Sequence, residues 1–126
     1  MIRVVIADDE ADVCLLLKLQ FGFLADFEVV GVAGDGADAV ELCRTFKPDA
    51  LVMDLLMPST SGFEAIDQLQ ADLPDVRIVA YTGVAGEFVR DRMKDQQVPL
   101  VLKSGDVGPL ADAIRAAVGQ TAPQND

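Results

Sequence analysis

Apolar residues recur along this chain in two alternating rhythms. Ile2–Ala7 is a short β-branched run broken only by Arg3 and ended by Asp8 and Asp9, which predicts a strand. From Val13 through Leu16, Leu17 and Phe21 and onward to Leu24, apolar positions return at helical intervals, so a helix follows. Phe27–Ala33 reads again as a strand, closed by Gly34-Asp35-Gly36, and residues 37–46 as a helix that Lys47-Pro48 stops. Ala50–Met53 is a buried-strand run ending at Asp54; beyond a loop with Pro58 and Gly62, the positions Phe63, Ile66 and Leu69 mark a third helix ending near Leu73-Pro74. Residues 76–81 predict a fourth strand, and 86–96 a polar, weakly patterned helix containing Phe88, Val89 and Met93. Residues 99–102 predict a short fifth strand, and Val107–Val118 a last helix capped by Asp106.

Five apolar strand runs alternating with five helices predict a parallel sheet covered on both faces. Parallel neighbours need crossover connections, and these are right-handed. The expected fold class is therefore α/β, doubly wound. At 126 residues the chain has the size of one domain with one core. We assign it to residues 1–119 and read 120–126 as a polar tail or the start of a linker.

Composition narrows the chemistry. The 51% hydrophobic and 25% charged residues suit a globular domain, and no apolar stretch approaches the length of a membrane span. Residues 1–7 run straight into two acids with no small-residue cleavage pattern, which opposes a secretory signal and points to the cytoplasm. With 10 Lys+Arg against 21 Asp+Glu, the formal charge of −11 excludes direct nucleic-acid binding by this domain, since phosphate contacts need a basic surface. There is no histidine, so the usual general base and transition-metal ligand are missing. Cys14 and Cys43 lack zinc-site spacing and read as small buried apolar groups.

Chemistry must therefore rest on carboxylates, hydroxyls and amines. In open parallel sheets the functional crevice lies at the carboxyl ends of the strands. The residues expected there are Asp8 and Asp9, Asp54, Thr82 and Lys103. Three carboxylates meeting at reduced dielectric need a raised pKa or compensating cations, and a hard divalent ion together with Lys103 supplies the cations. Mg²⁺ suits such oxygen donors. We assign Asp9, Asp54 and the backbone carbonyl of Leu56 as its ligands, with Asp8 acting mainly through bound water. Asp54, at the centre of the set, can act as a nucleophile towards phosphorus, with Lys103 and the Thr82 hydroxyl on the incoming oxygens.

These residues resemble the receiver domains of two-component response regulators, from about residue 2 to residue 118. The matching elements are Asp8-Asp9, the run from Asp54 to Pro58 followed by Gly62-Phe63-Glu64, the pair Thr82-Gly83, and Lys103. The resemblance implies a flavodoxin-like sheet of the chemotaxis-regulator kind, with strand order 2-1-3-4-5. It implies a phosphoacceptor, Asp54, rather than a turnover enzyme: the domain promotes its own Mg²⁺-dependent phosphoryl transfer and dephosphorylation. The implied donor is a sensor histidine kinase or a phosphotransfer protein. The implied output is a changed surface on the fourth helix, fifth strand and fifth helix, which also offers a route to a homodimer. Receivers often carry an aromatic three residues before the lysine; here Leu100 stands in that position.

Two other readings compete. A degenerate receiver that takes no phosphate and serves as an interaction module is favoured by Leu100 and opposed by the intact acid set. A phosphatase of the haloacid dehalogenase type would want a second acid two residues after the nucleophile, where Leu56 stands. Taken singly, each aspartate could be an ordinary helix cap.

Overall fold

The computed structural model describes residues 1–57, 61–83 and 85–119. The expected loop residue Pro58 and the expected tail 120–126 lie outside the described residues. The elements follow in the order β1 (Ile2–Ala7), α1 (Ala11–Gly22), β2 (Phe27–Ala33), α2 (Gly36–Phe46), β3 (Ala50–Met53), α3 (Gly62–Asp72), β4 (Arg77–Thr82), α4 (Glu87–Asp95), β5 (Leu100–Leu102) and α5 (Val107–Val118). All strand pairings are parallel and the sheet order is β2-β1-β3-β4-β5. The doubly wound α/β class and the flavodoxin-like order both hold.

Alternate residues of each strand face opposite layers of helix. Val5, Ala7, Leu51, Met53, Ile78 and Ala80 pack with residues of α2, α3 and α4. Ile2, Val4, Ile6, Ala50, Val52, Val79 and Tyr81 pack with α1 and α5. This is why the central strands read as continuous apolar runs: both faces are buried, and a polar residue on either would lose its water. Tyr81 is part of the second layer and is 3% exposed, a packing residue.

Several boundaries move by a residue or two, each for a backbone reason. Helix α1 ends at Gly22 rather than reaching Leu24, because Phe23 and Leu24 donate to Gln20 and Phe21 three residues back, closing a turn. Strand β4 begins at Arg77, not Val76, whose N–H bonds back to the Leu73 carbonyl. Its last residue is Thr82, which pairs with Leu102, so this hydroxyl sits on the strand itself instead of following it. Helix α4 is shorter than 86–96, with Gly86 and Gln96 as its caps. Pro99 has no N–H to donate and stays outside β5, although its carbonyl accepts from Ala80.

Helix stops fit the sequence signals. Lys47 ends α2 in the left-handed region at φ 44°, and Gly119 ends α5 at φ 76°. Asp35, Ser61 and Asp106 each accept a hydrogen bond from a backbone N–H of the helix they precede, as favoured N-caps do. The far end of α5 is tied across the molecule: Arg115 donates twice to Asp26, at 2.8 and 3.0 Å, and its guanidinium lies 5.2 Å from the Phe27 ring centre. The Arg115 hydrogen bonds hold the Asp26 carboxyl below its ordinary value.

Candidate functional site

Sheet hydrogen bonding continues one residue past β1, β3 and β5, and this fixes the backbone of each of Asp8, Asp54 and Lys103. Asp8 N donates to the Ala33 carbonyl at 3.0 Å, Asp54 N to the Ala7 carbonyl at 3.0 Å, and Lys103 N to the Thr82 carbonyl at 2.9 Å. Residues that are 95 positions apart in the extreme case are therefore brought to one rim by the ladder itself: β1 and β3 end level at Ala7 and Met53, and β4 and β5 end level two residues further on, at Thr82 and Leu102.

At that rim the side chains converge. Lys103 Nζ stands 2.6 Å from Asp8 Oδ2 and 3.4 Å from Asp54 Oδ2, with Glu10 Oε1 further out at 3.9 Å. Asp8 Oδ1 accepts from the N–H of Glu10, the N-cap of α1, while Asp54 Oδ1 accepts from the Leu56 N–H at 3.3 Å. Asp8 is 3% exposed, Asp54 5% and Thr82 1%, so these polar groups are nearly as dry as the core. Asp9 is exposed at the mouth.

Burial pushes the Asp54 carboxyl above its ordinary value, and the nearby Asp8 charge adds to it. The Leu56 N–H and the Lys103 ammonium act the other way without cancelling them. Burial works against the Lys103 charge as well, but the pairing with Asp8 and the field of Asp54 prevail and hold the ammonium above its usual range. One cation is thus shared by two buried carboxylates.

Asp8, Asp9 and Asp54 each offer a carboxylate oxygen, and these three atoms lie within 4.8 Å of one another. Asp8 Oδ2 is buried and, despite its close ion pair with Lys103, has no hydrogen bond of acceptable direction. An all-oxygen donor set with an incompletely satisfied buried oxygen fits Mg²⁺, which takes carboxylates and retains water. No helix among the described residues is long and apolar enough to cross a membrane.

The structure brings together the side chains of Asp8, Asp9, Asp54 and Lys103 and places Thr82 beside Lys103 through its backbone carbonyl, and it adds two features that the sequence pattern did not single out. Glu10 occupies the N-cap position of α1 without a side-chain capping bond and stands within reach of Lys103. Gly62, taken only as part of a motif, lies flat against the Asp54 backbone: a Cβ built on it would overlap the Asp54 carbonyl oxygen and lie 2.8 Å from Leu55 Cα. The signal was a glycine opening a helix already capped by Ser61, where chain flexibility serves no purpose. Gly62→Ala is expected to lower stability by about 1–3 kcal/mol, because backbone rather than a mobile side chain must yield. Urea unfolding measures it; an unchanged midpoint would remove Gly62 from the support of Asp54.

Leu56 is 63% exposed and projects from the rim. Leu100 is half-buried against the layer that contains Met93 of α4. Cys14 donates to the Asp8 carbonyl at 3.4 Å, and burial raises its pKa; burial pushes the Cys43 thiol up to about 12. Both thiols are buried and inert by this measure, as expected.

With this geometry in hand, comparison with known proteins gives a consistent picture. Residues 4–115 match the family described as response regulator receiver domain. Among similar curated proteins are the response regulator protein VraR of Staphylococcus saprophyticus, 34% identical over 90% of this chain and 55% of that protein, and the transcriptional regulatory protein LiaR of Bacillus subtilis, 35% identical over 93% and 56%. The chain spans about half the length of the curated relatives it matches. Among solved structures, the response regulator domain of Thermotoga maritima CheB superposes with a TM-score of 0.84 at 28% identity, covering 96% of this chain and 98% of that one. A LuxR-family two-component response regulator from Aurantimonas sp. gives 0.87 at 28% identity, covering 98% and 89%.

Proposed function

The chain belongs to the response regulator receiver domain family, and from that membership we propose that it is switched by a phosphoryl group carried on Asp54. The observation that supports this most directly is the shared cation: Lys103 lies between Asp8 and Asp54, on the carboxylate oxygen of Asp54 that does not accept from the Leu56 N–H.

In the proposed reaction an Asp54 carboxylate oxygen attacks phosphorus in a phosphohistidine of the donor protein. An O–P bond forms, the N–P bond breaks, and the departing imidazole nitrogen keeps the electron pair and is protonated from solvent. The raised pKa of Asp54 marks a carboxylate whose charge is poorly solvated, and so one with little hydration to shed before attack. Lys103 provides a positive charge for the equatorial oxygens, while the Thr82 hydroxyl and the Leu56 N–H offer hydrogen bonds. Asp8, Asp9, Asp54 and the Leu56 carbonyl would hold Mg²⁺, which when bound neutralises charge on the transferring group. Gly83 has open space where a Cβ would stand, leaving an approach to the rim.

The donor is proposed to be a sensor histidine kinase or a phosphotransfer protein, met in the cytoplasm. The output is proposed to be a change in the α4–β5–α5 face, where Phe88 and Leu102 stand exposed, with a second copy of the chain as one partner for it. Leu100 in place of an aromatic favours a second reading, a receiver that no longer takes phosphate. Beryllofluoride separates them: Mg²⁺-dependent binding, followed by fluorine resonances or by the rise in unfolding temperature, is expected. Binding that is absent, or indifferent to Mg²⁺, would leave the interaction module standing.

A further inference from the structure

Helix α4 carries little apolar attachment. Met93 is its one fully buried residue, with Val89 half-buried beside it. Polar contacts therefore bear more of the load here, and they are concentrated in one cluster facing α3. Arg92 Nη2 donates to Asp67 Oδ2 at 3.0 Å, its Nε to Gln96 Oε1 at 3.2 Å, and its guanidinium lies 4.5 Å from the Phe63 ring centre. Gln96 Nε2 donates to Asp67 Oδ1 at 2.7 Å and to Gln70 Oε1 at 3.2 Å, and Gln70 Nε2 returns a bond to the Gln96 carbonyl at 2.9 Å.

Phe63, Asp67 and Gln70 fall on one stripe of α3, while Arg92 and Gln96 sit one turn apart at the end of α4. A lone exposed ion pair contributes little. Here both oxygens of Asp67 are engaged, Gln96 gives and accepts, and the cation is seated over a ring, so the contacts support one another. The stripe begins one residue after Gly62, which abuts the Asp54 carbonyl. Packing thus runs without a gap from the Asp54 backbone through Gly62 and Phe63 to Arg92.

We propose that this cluster is a latch that sets the position of α4 and couples it to the acceptor loop, with Arg92 and Asp67 as positioning residues. It offers a route to α4 that does not depend on the aromatic replaced by Leu100. The proposal rests on the reading of Asp54 as phosphoacceptor. The latch stabilises the arrangement in which Asp54 pairs with Lys103; a group on Asp54 that engages Lys103 and shifts α4 works against it. Linkage is reciprocal, so loosening the latch must tighten binding of a phosphoryl analogue by the same factor.

The test is titration of beryllofluoride in the presence of Mg²⁺ against the unmodified chain, Arg92→Gln, Asp67→Asn, the double variant, and Arg44→Gln. The last removes a comparably exposed pairing with Glu41 and Asp72. Each latch variant is expected to bind roughly five-fold more tightly, the double variant no more tightly than about either one, and Arg44→Gln unchanged. A merely destabilising substitution would not raise affinity. Equal or weaker binding by both single variants overturns the latch alone, whereas an unmodified chain that fails to bind overturns the reading of Asp54 and the latch with it.

Discussion

Replacing Asp54 by asparagine is expected to abolish Mg²⁺-dependent uptake of a phosphoryl group while making the metal-free fold more stable. The loss follows from the chemistry: an amide has no anionic oxygen to attack phosphorus, and Asp8, although near, is paired with Lys103 at 2.6 Å. The gain follows from the raised pKa. Burial and the Asp8 charge make ionised Asp54 less favourable in the folded chain than in the unfolded one. Its contribution to stability is therefore complete below the ordinary aspartate pKa of about 3.9 and is lost as pH rises through the higher folded value. Asparagine avoids that loss, and an increase of about 0.5–2 kcal/mol at neutral pH is expected, as where a strained functional group is removed. Intact mass after incubation with a small acyl phosphate reads the first effect. Urea unfolding in chelator across the acid-to-neutral range reads the second. A phosphorylated asparagine variant would dismiss Asp54 as acceptor, and a variant less stable at neutral pH would contradict the electrostatic account.

Lys103→Met should act in the opposite direction on the fold. It removes the ammonium between two carboxylates whose side chains are 2% and 6% exposed, leaving like charges facing each other in a dry site. Breaking a buried pair from one side is expensive, and a loss of about 3 kcal/mol in chelator is expected. The Lys103 pKa is raised, so its contribution is complete below the ordinary lysine value of about 10.4 and fades only as pH climbs through the folded value. The deficit of the variant should consequently persist through neutral pH and shrink in acid, where the carboxylates become protonated. Mg²⁺ should restore part of it, because a cation that binds the folded state alone stabilises by mass action. Unfolding midpoints with and without Mg²⁺ decide the matter. If the variant unfolds like the unmodified chain in chelator, the carboxylates do not depend on Lys103.

The two experiments together separate the two roles of the rim. Asp54 is the proposed acceptor and Lys103 its counter-ion, yet one strains the fold and the other relieves it. That pairing is a reason to expect the site to respond to any change at the Asp54 oxygen.

Much of this was legible in the residue order. The alternation of β-branched runs with helical spacing named the strands and helices, because burial on both faces leaves a continuous apolar run as its mark. Asp8, Asp9, Asp54, Thr82 and Lys103 were found because a parallel sheet places the ends of its strands on one side, whatever lies between them. Less was legible in α1, where Leu15, Leu16 and Leu19, and Phe23 just past its end, are exposed beside buried Cys14, Leu17 and Phe21. With apolar residues almost all round, its pattern did not say which side faces the sheet.

What the amino-acid order determined by itself was thus the class of fold and the membership of the rim, since both depend on local periodicity and on residue type at strand ends. What only the tertiary structure decided was distance: Lys103 shared between Asp8 and Asp54, Glu10 drawn into reach, Gly62 pressed on the Asp54 carbonyl, and Arg92 seated on Phe63 and Asp67. Contacts of that kind arise from how separate helices settle on a common sheet. The packing that selects them is a property of the whole core and leaves no period in the chain.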